Sequence, residues 1–342
     1  MANTNKVTIK EVAKAANVSV ATVSYVINGV QKMVSEKTKQ KVNKVIEELG
    51  YVPNITARSL VKQESRLIGI IFPAQENLKY MVLRENPFYL EFISGVEYRA
   101  LEQGYNTLLV GVSDEKHCRD ILNSRNYAGF ITFDFVDKDV YKLLEQSDVP
   151  VVVIEDKNSG KSDTSISYLN SDDFKGGYLA AEYLIKKGHK KIGVYTINTG
   201  AHVAQERIRG FKKACEDYNI SFNESFIIQV DALEVIIDKI LEGKYTAIFC
   251  IGDILAMYLM KVLMKRGIGI PDDISIIGYD NIASCQFLMP ELTTISQQIH
   301  NKGAKAVDII LHNISHTNDK IKEYIMPVEL VERESVQDII KE

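Results

Sequence analysis

Tryptophan is absent from the 342 residues, and only four cysteines and seven prolines are present. The cysteines, Cys118, Cys215, Cys250 and Cys285, lie far apart with no C-x-x-C pair. That spacing argues against a zinc clip or a disulfide framework and leaves buried free thiols as the expectation. No apolar run approaches the roughly 20 residues needed to cross a bilayer, and Met1 to Lys6 has no apolar core of a secretory signal. A cytoplasmic protein with no membrane partner is therefore expected. Catalytic signatures are missing too. Asn158-Ser159-Gly160-Lys161-Ser162 ends like a phosphate-binding loop, but Glu155 stands where that loop needs glycine for its backbone to wrap phosphate. There is no Gly-x-Ser-x-Gly elbow and no Gly-x-Gly-x-x-Gly after a strand. His312 and His316 share helical spacing, yet Asn313, Ile314 and Ser315 between them lack the glutamate of a zinc-protease motif. Neither enzyme activity, nor a metal, nor a cofactor is expected.

What is present is an ordinary globular composition, 46% hydrophobic and 25% charged, in a chain long enough for two or three domains. The charge is unevenly placed. Residues 1–62 hold ten Lys and Arg against four Glu, a net of +6, so the remaining chain carries −10 of the overall −4. A small basic module that meets a polyanion, joined to a large acidic body that does not, is the simplest reading.

In the basic segment, Thr8-Ile9-Lys10-Glu11 has the form of a capping box, in which Thr8 and Glu11 exchange side-chain and backbone hydrogen bonds at a helix start. Ile9, Val12, Ala13 and Ala16 follow at helical spacing, and Asn17 tolerates the left-handed backbone that ends a helix. Ser19 is placed to cap a second helix with Val23, Val26 and Ile27 inward. Two short helices across a three-residue turn form a helix-turn-helix. On the second, Val20, Ala21, Ser24, Tyr25 and Asn28 face outward. Val20 and Ala21 suit apolar contact with a thymine methyl, Tyr25 adds a hydroxyl for a base edge, and Thr22 and Ser24 suit phosphate oxygens. A third helix from Ser35, with Val42, Val45, Ile46 and Leu49 inward, stops at Gly50 before Pro53. Asn54 to Leu60 has good helix formers but only about two turns, too short to hold alone in water.

The run from Val7 to Gly29, followed by Leu49-Gly50-Tyr51-Val52-Pro53-Asn54, resembles the head of the LacI/GalR family of bacterial repressors. That resemblance implies a hinge helix at Asn54 to Leu60 that folds when two copies meet in the operator's minor groove, with Leu60 as wedge, Ala57 allowing close approach and Arg58 near phosphate. It also implies that Thr8 and Ser19 belong to the DNA-facing head and that positions 20, 21 and 25 read bases. The expected partners are double-stranded DNA with a pseudo-palindromic operator, a second copy of the chain and a small-molecule effector.

From Arg66 onward, apolar strand-like runs (67–72, 107–112, 128–133, 149–155, 191–196, 246–251 and 274–279) alternate with amphipathic helical patterns. This predicts parallel α/β sheets covered on both faces, two of them for about 270 residues. The expected fold is thus an all-α helix-turn-helix head plus a two-lobed, periplasmic-binding-protein-like α/β body. Its expected divisions are a head at 1–53, hinge and linker at 54–65, and a body at 66–342. Lobe one would take about 66–164 and 297–324, lobe two 165–296 and 325–342, with a crossing near Asp163 to Tyr168. The body is similar to the family's effector domain along nearly its whole length, at Asn86-Pro87-Phe88-Tyr89, Gly188-His189-Lys190, Arg207-Ile208-Arg209-Gly210-Phe211 and Gly278-Tyr279-Asp280-Asn281 among others. Strand-end chemistry places a ligand in the cleft between lobes. Glu155 closes one strand, Asp280 another, and by resemblance Arg207 and Asp280 contact effector while Phe88 or Tyr89 supplies an aromatic wall. A carboxylate and a guanidinium can share a sugar's hydroxyls, so a sugar or sugar derivative is the first expectation. Departures from the family, Ala232 for a large aromatic, Gly252 for a common Asn, no tryptophan at all and a helical segment near Glu115 to Ser124 about one turn short, keep a nucleobase, an unusual sugar or a phosphosugar open. A protein corepressor is the third alternative.

Overall fold

The computed structural model describes residues 7–27, 33–51, 65–73, 86–124, 126–133, 138–156, 166–229 and 233–340. The chain divides at Ser65/Arg66 into two compact units. The first unit contains α1 (Ile9–Ala15), α2 (Val20–Ile27) and α3 (Glu36–Leu49). Each begins and ends for a local reason. The Thr8 backbone N–H donates to the Glu11 carboxylate at 2.6 Å, while the Glu11 N–H donates back to Thr8 Oγ1 at 3.4 Å. Asn17 carries the chain through φ 50°, and Gly50 does the same after α3 at φ 61°. Ser19 Oγ accepts the Thr22 N–H at 3.1 Å and Ser35 Oγ accepts that of Thr38 at 3.3 Å. The core is small: Val12, Ala13, Ala16, Val23 and Val42 are buried together. Leu49, expected inward, is 38% exposed. The turn it belongs to still packs, since Ile46 before it and Tyr51 just past Gly50 lie against that core.

The second unit is built on two sheets. β1 (Leu67–Pro73), β2 (Asn106–Val112), β3 (Gly129–Phe133), β4 (Val151–Ile154), β5 (Ile166–Ser171) and β11 (Glu323–Met326) form the first, in the order β11-β5-β4-β3-β1-β2, with parallel pairings. β6 (Ile192–Thr196), β7 (Ile227–Gln229), β8 (Ala247–Cys250), β9 (Ser275–Asp280), β10 (Thr293–Ser296) and β12 (Glu329–Val331) form the second, in the order β12-β10-β9-β8-β6-β7, with β12 antiparallel to β10. β3, β4 and β8 are buried at every residue, as continuous apolar runs in a doubly covered parallel sheet should be.

The helices α4 (Pro87–Glu102), α5 (Glu115–Ser124), α6 (Lys138–Glu145) and α11 (Ile299–Ser315) go with the first sheet; α7 (Asp173–Lys186), α8 (His202–Asp217), α9 (Leu233–Gly243) and α10 (Asp253–Lys265) go with the second. α11 packs on α4 and α7 on α8, each pair at backbone contact. A Cβ on Gly177 would sit 1.8 Å from the Arg207 carbonyl oxygen, and one on Gly303 would sit 2.1 Å from that of Phe92. Among the described residues no helix is long and apolar enough to cross a membrane.

The chain passes between the lobes three times, and the first passage corrects the expectation. β5 pairs with β4 in the first sheet, so the chain leaves that lobe after Ser171 rather than near Asp163 to Tyr168. In the sequence, Ser167, Asn170 and Ser171 make this strand look like a polar connection. Its neighbours satisfy those groups: Ser167 Oγ donates to the Ile321 carbonyl at 2.6 Å, and Asn170 exchanges hydrogen bonds with the Asp156 backbone at 3.1 Å each. The chain returns to the first lobe between Ser296 and Ile299, and crosses last between Met326 and Glu329, just beyond the expected Tyr324.

Candidate functional site

A cavity of about 480 Å³ lies at the carboxyl ends of β4 and β9, between the lobes. Phe88, Tyr89, Glu155, Arg207 and Asp280 all line it. Asn86 caps α4 by accepting the Phe88 N–H at 3.1 Å, with Pro87 at the first helical position, and this start aims both aromatics. Tyr89 packs edge-on against Phe88 at 5.2 Å and Phe133 at 5.0 Å between ring centroids. Burial, together with the negative charge of Asp280 facing it, pushes the Tyr89 phenol up to about 12, so it stays a neutral hydroxyl.

Arg207 is held on every side. Its Nε donates to Asp173 Oδ1 at 2.7 Å, its Nη1 donates to the Ile251 carbonyl at 2.6 Å and lies 3.8 Å from Asp280 Oδ1, and its guanidinium covers the Tyr279 ring at 3.6 Å. Asp280 ends β9 with φ 120° and accepts from Gln297 Nε2 at 2.6 Å. Burial raises its carboxyl to about 7; the Arg207 charge opposes that rise and the Asp253 carboxylate adds to it. Glu155, at φ 59°, pairs with the fully buried Lys302 and accepts the Ser171 N–H at 3.3 Å. The polar floor is therefore one connected network running from Lys302 through Gln297 and Asp280 to Arg207 and Asp173. The walls are mostly apolar: Phe133, Ile154, Ile197, Val203, Ile251 and Leu255 join the aromatics.

The residues missed from sequence are Phe133, His202 and Gln297 on the lining and Lys302, Ser171 and Asp173 behind it. Lys302 carried a usable signal. It interrupts the apolar stripe Ile299, Gly303, Ala306, Val307 and Ile310 of α11, where a lysine has to find a partner. Ala232, Asp231 and the Asn158 to Ser162 segment lie outside the described residues. The four cysteines are buried. His312 and His316 stack at 4.3 Å, and no group of three or more metal-ligand side chains occurs among the described residues.

In the first unit, Thr8 and Ser19 are the caps of α1 and α2. Val20, Ala21 and Tyr25 are exposed on α2, Thr22 and Ser24 are half-buried, and Thr22 Oγ1 shares a hydrogen bond with Ser19 Oγ at 2.9 Å. Asn28, Asn54, Ala57, Arg58 and Leu60 lie outside the described residues.

A helix-turn-helix head on a two-sheet body with a cleft between its lobes defines a DNA-binding regulator with an effector-type domain. Residues 8–54 match the model for bacterial regulatory proteins of the lacI family, and residues 181–336 match the periplasmic binding protein-like domain. The HTH-type transcriptional repressor PurR of Vibrio atlanticus is 35% identical over 345 residues, covering 97% of this chain and 99% of that protein. The chain belongs to the LacI family and is a DNA-binding transcriptional repressor, not an enzyme. Its fold is shared with the lac repressor dimer bound to operator and the anti-inducer ONPF, at a TM-score of 0.78 and 24% identity over 97% of this chain and 100% of that one. A LacI family regulator from Enterococcus faecium with bound ribose gives 0.67 and 28% over 80% and 99%.

Proposed function

We propose that the repressor binds an approximately palindromic operator as a homodimer and that a flat nitrogenous base in the inter-lobe cleft controls this binding. The observation that carries the ligand reading is the division of the cleft into aromatic and aliphatic walls and one connected polar floor. A planar heterocycle has two apolar faces and a hydrogen-bonding rim, which suits those walls and that floor. The PurR relatives are in keeping with this reading. A sugar remains the second reading, because Asp280, Arg207 and Asn86 can share hydroxyls and the similar Enterococcus faecium regulator holds ribose.

On the DNA side, Val20, Ala21 and Tyr25 read base edges, Thr22, Ser24 and Asn28 meet backbone or neighbouring bases, and Thr8 and Ser19 hold the helices that present them. Asn54, Ala57, Arg58 and Leu60 form the hinge that folds on the operator. The dimer reading draws on exposed apolar side chains from both lobes. Leu90 and Tyr98 on α4 and Phe287 and Met289 beyond β9 stand more than half exposed. Burial raises the Glu91 carboxyl's pKa and the Ala283 backbone opposes that rise, so those two segments lie side by side. A second copy related by a two-fold axis would cover both at once.

Duplexes selected from a random pool by the purified protein would give the operator. Titrating that complex in a gel shift with adenine, guanine, hypoxanthine and uracil against ribose and cellobiose tests the effector. A shift in operator affinity with a base and none with the sugars is expected; the reverse result replaces the first reading with the second. Tyr25→Ala should change which operator bases are tolerated, by about 1–3 kcal/mol at one position, whereas a uniform loss on all duplexes would make Tyr25 a backbone contact.

A further inference from the structure

Lys302 is fully buried on α11, the helix that lies against α4 and behind the cleft. Its ammonium has three N–H groups and three acceptors around it: a Glu155 carboxylate oxygen, Ser171 Oγ at 2.6 Å and Gln297 Oε1 at 2.9 Å. The Phe88 ring, part of the cleft wall, lies 5.8 Å from Nζ. Glu155 reaches the cavity with its side chain 15% exposed, whereas Lys302 does not reach it at all. The cavity thus sees the carboxylate while the matching charge stands behind it.

The other cation at the cleft is shared rather than matched one for one, with Arg207 between Asp173 and Asp280, so Lys302 is what neutralises Glu155. Burial drives the Lys302 amine well below its usual pKa. Moving its proton to Glu155 would leave the pair as neutral as before, so the balance does not depend on where the proton sits.

We propose that Lys302 is a positioning residue that sets the charge class of the effector: by neutralising and orienting Glu155 from behind, it makes the cleft select an uncharged ligand over a cation of the same shape. This rests on the cleft being the effector site, but not on the effector being a base rather than a sugar. A charge partly withdrawn from water at a cavity wall favours a ligand group that matches it, because screening there is reduced. Removing the ammonium should therefore turn Glu155 into a cation subsite. Removing the carboxylate should turn the same spot toward anions.

Benzamidine, benzamide and benzoate have nearly one shape and carry +1, 0 and −1, so they probe the charge without the natural effector. Ligand-observed NMR on the full-length protein is expected to show Lys302→Met binding benzamidine at least tenfold more tightly than wild type, with benzamide unchanged. Glu155→Gln should gain for benzoate instead, so that the test survives if either single variant fails to fold. The double variant Glu155→Gln/Lys302→Met has no net change in charge and should lose both gains. Adding Tyr89→Ala to Lys302→Met should abolish the benzamidine gain, which ties the probe to the cleft. The proposal is overturned if the three probes rank alike in wild type and single variants, if none of them binds any variant measurably, or if the gain persists in the Tyr89→Ala background. Failure of the base panel against operator DNA would reject the effector class and leave this charge ranking intact.

Discussion

The two units solve opposite problems. In the head, five small apolar residues make the core and every polar device sits at the surface: Thr8, Ser19 and Ser35 cap helices while α2 turns Val20, Ala21 and Tyr25 outward. In the body, Arg207, Asp173, Asp253, Asp280 and Lys302 are buried beside a cavity. Such charges are costly to bury and are tolerated when they are paired or hydrogen-bonded, as Asp253 is by Thr294, Cys285 and the Ile282 N–H. The contrast shows where each unit keeps its chemistry. A head that must meet a large polyanion displays its contacts, whereas the body keeps its charges buried beside a cavity.

Breaking the buried side of this comparison should have the largest effect. Arg207→Met leaves Asp173 and Asp280 without their cation, and urea unfolding of the body should register a loss of about 3 kcal/mol or more. A change below about 1 kcal/mol would mean that Asp280 simply takes up a proton. On the head side, the proposed hinge role predicts that Leu60→Gly weakens operator binding about a hundredfold in a gel shift, because the change would remove the wedge and put a poor helix former in place of a good one. Unaltered affinity would remove Leu60 from the hinge, whereas the body's ligand binding should be indifferent to it.

Smaller effects sharpen the contrast. Ser19→Ala deletes the acceptor of the Thr22 N–H and should cost the head about 1 kcal/mol, read as a lower melting point of the head alone. The body should show its hidden charge through pH. The Asp280 carboxyl is raised from its ordinary 3.8 to about 7, so its contribution to stability is full below pH 4 and is lost as pH rises through 7. Wild type should therefore gain up to about 1 kcal/mol per pH unit on acidification from 7 to 5 relative to Asp280→Asn. Parallel curves for the two proteins would show that Asp280 titrates as an ordinary carboxyl. The comparison with the variant matters because buried His189, held below its usual pKa by burial, pulls the opposite way in the same window.

What could be read from the chain alone follows the same divide. Local devices were legible: the Thr8–Glu11 box, Ser19, Ser35, Asn17 and Gly50 act within a few residues of themselves. So were the apolar strands, whose runs need no partner to be recognised. The residues expected in the cleft line one cavity because strand ends gather wherever parallel sheets are wound this way. What was hidden depends on distant partners. β5 reads as a polar linker until Ile321 and Asp156 are beside it, and the partner that Lys302 needs within its apolar stripe has no name until Glu155, 147 residues earlier, is across from it. Leu49 is exposed for a simpler reason: past the left-handed turn at Gly50 it is Tyr51, not Leu49, that packs on the core.

The three passages between the lobes have a consequence for how the molecule is made. The edge strand β11 and the helix α11 of the first lobe are encoded after almost all of the second. While the ribosome is still producing that second lobe, β5 is an open sheet edge and Glu155 has no counter-charge. The first lobe to emerge is thus completed only after most of the second has been made, the second closes last with β12, and neither lobe can be excised as one continuous piece.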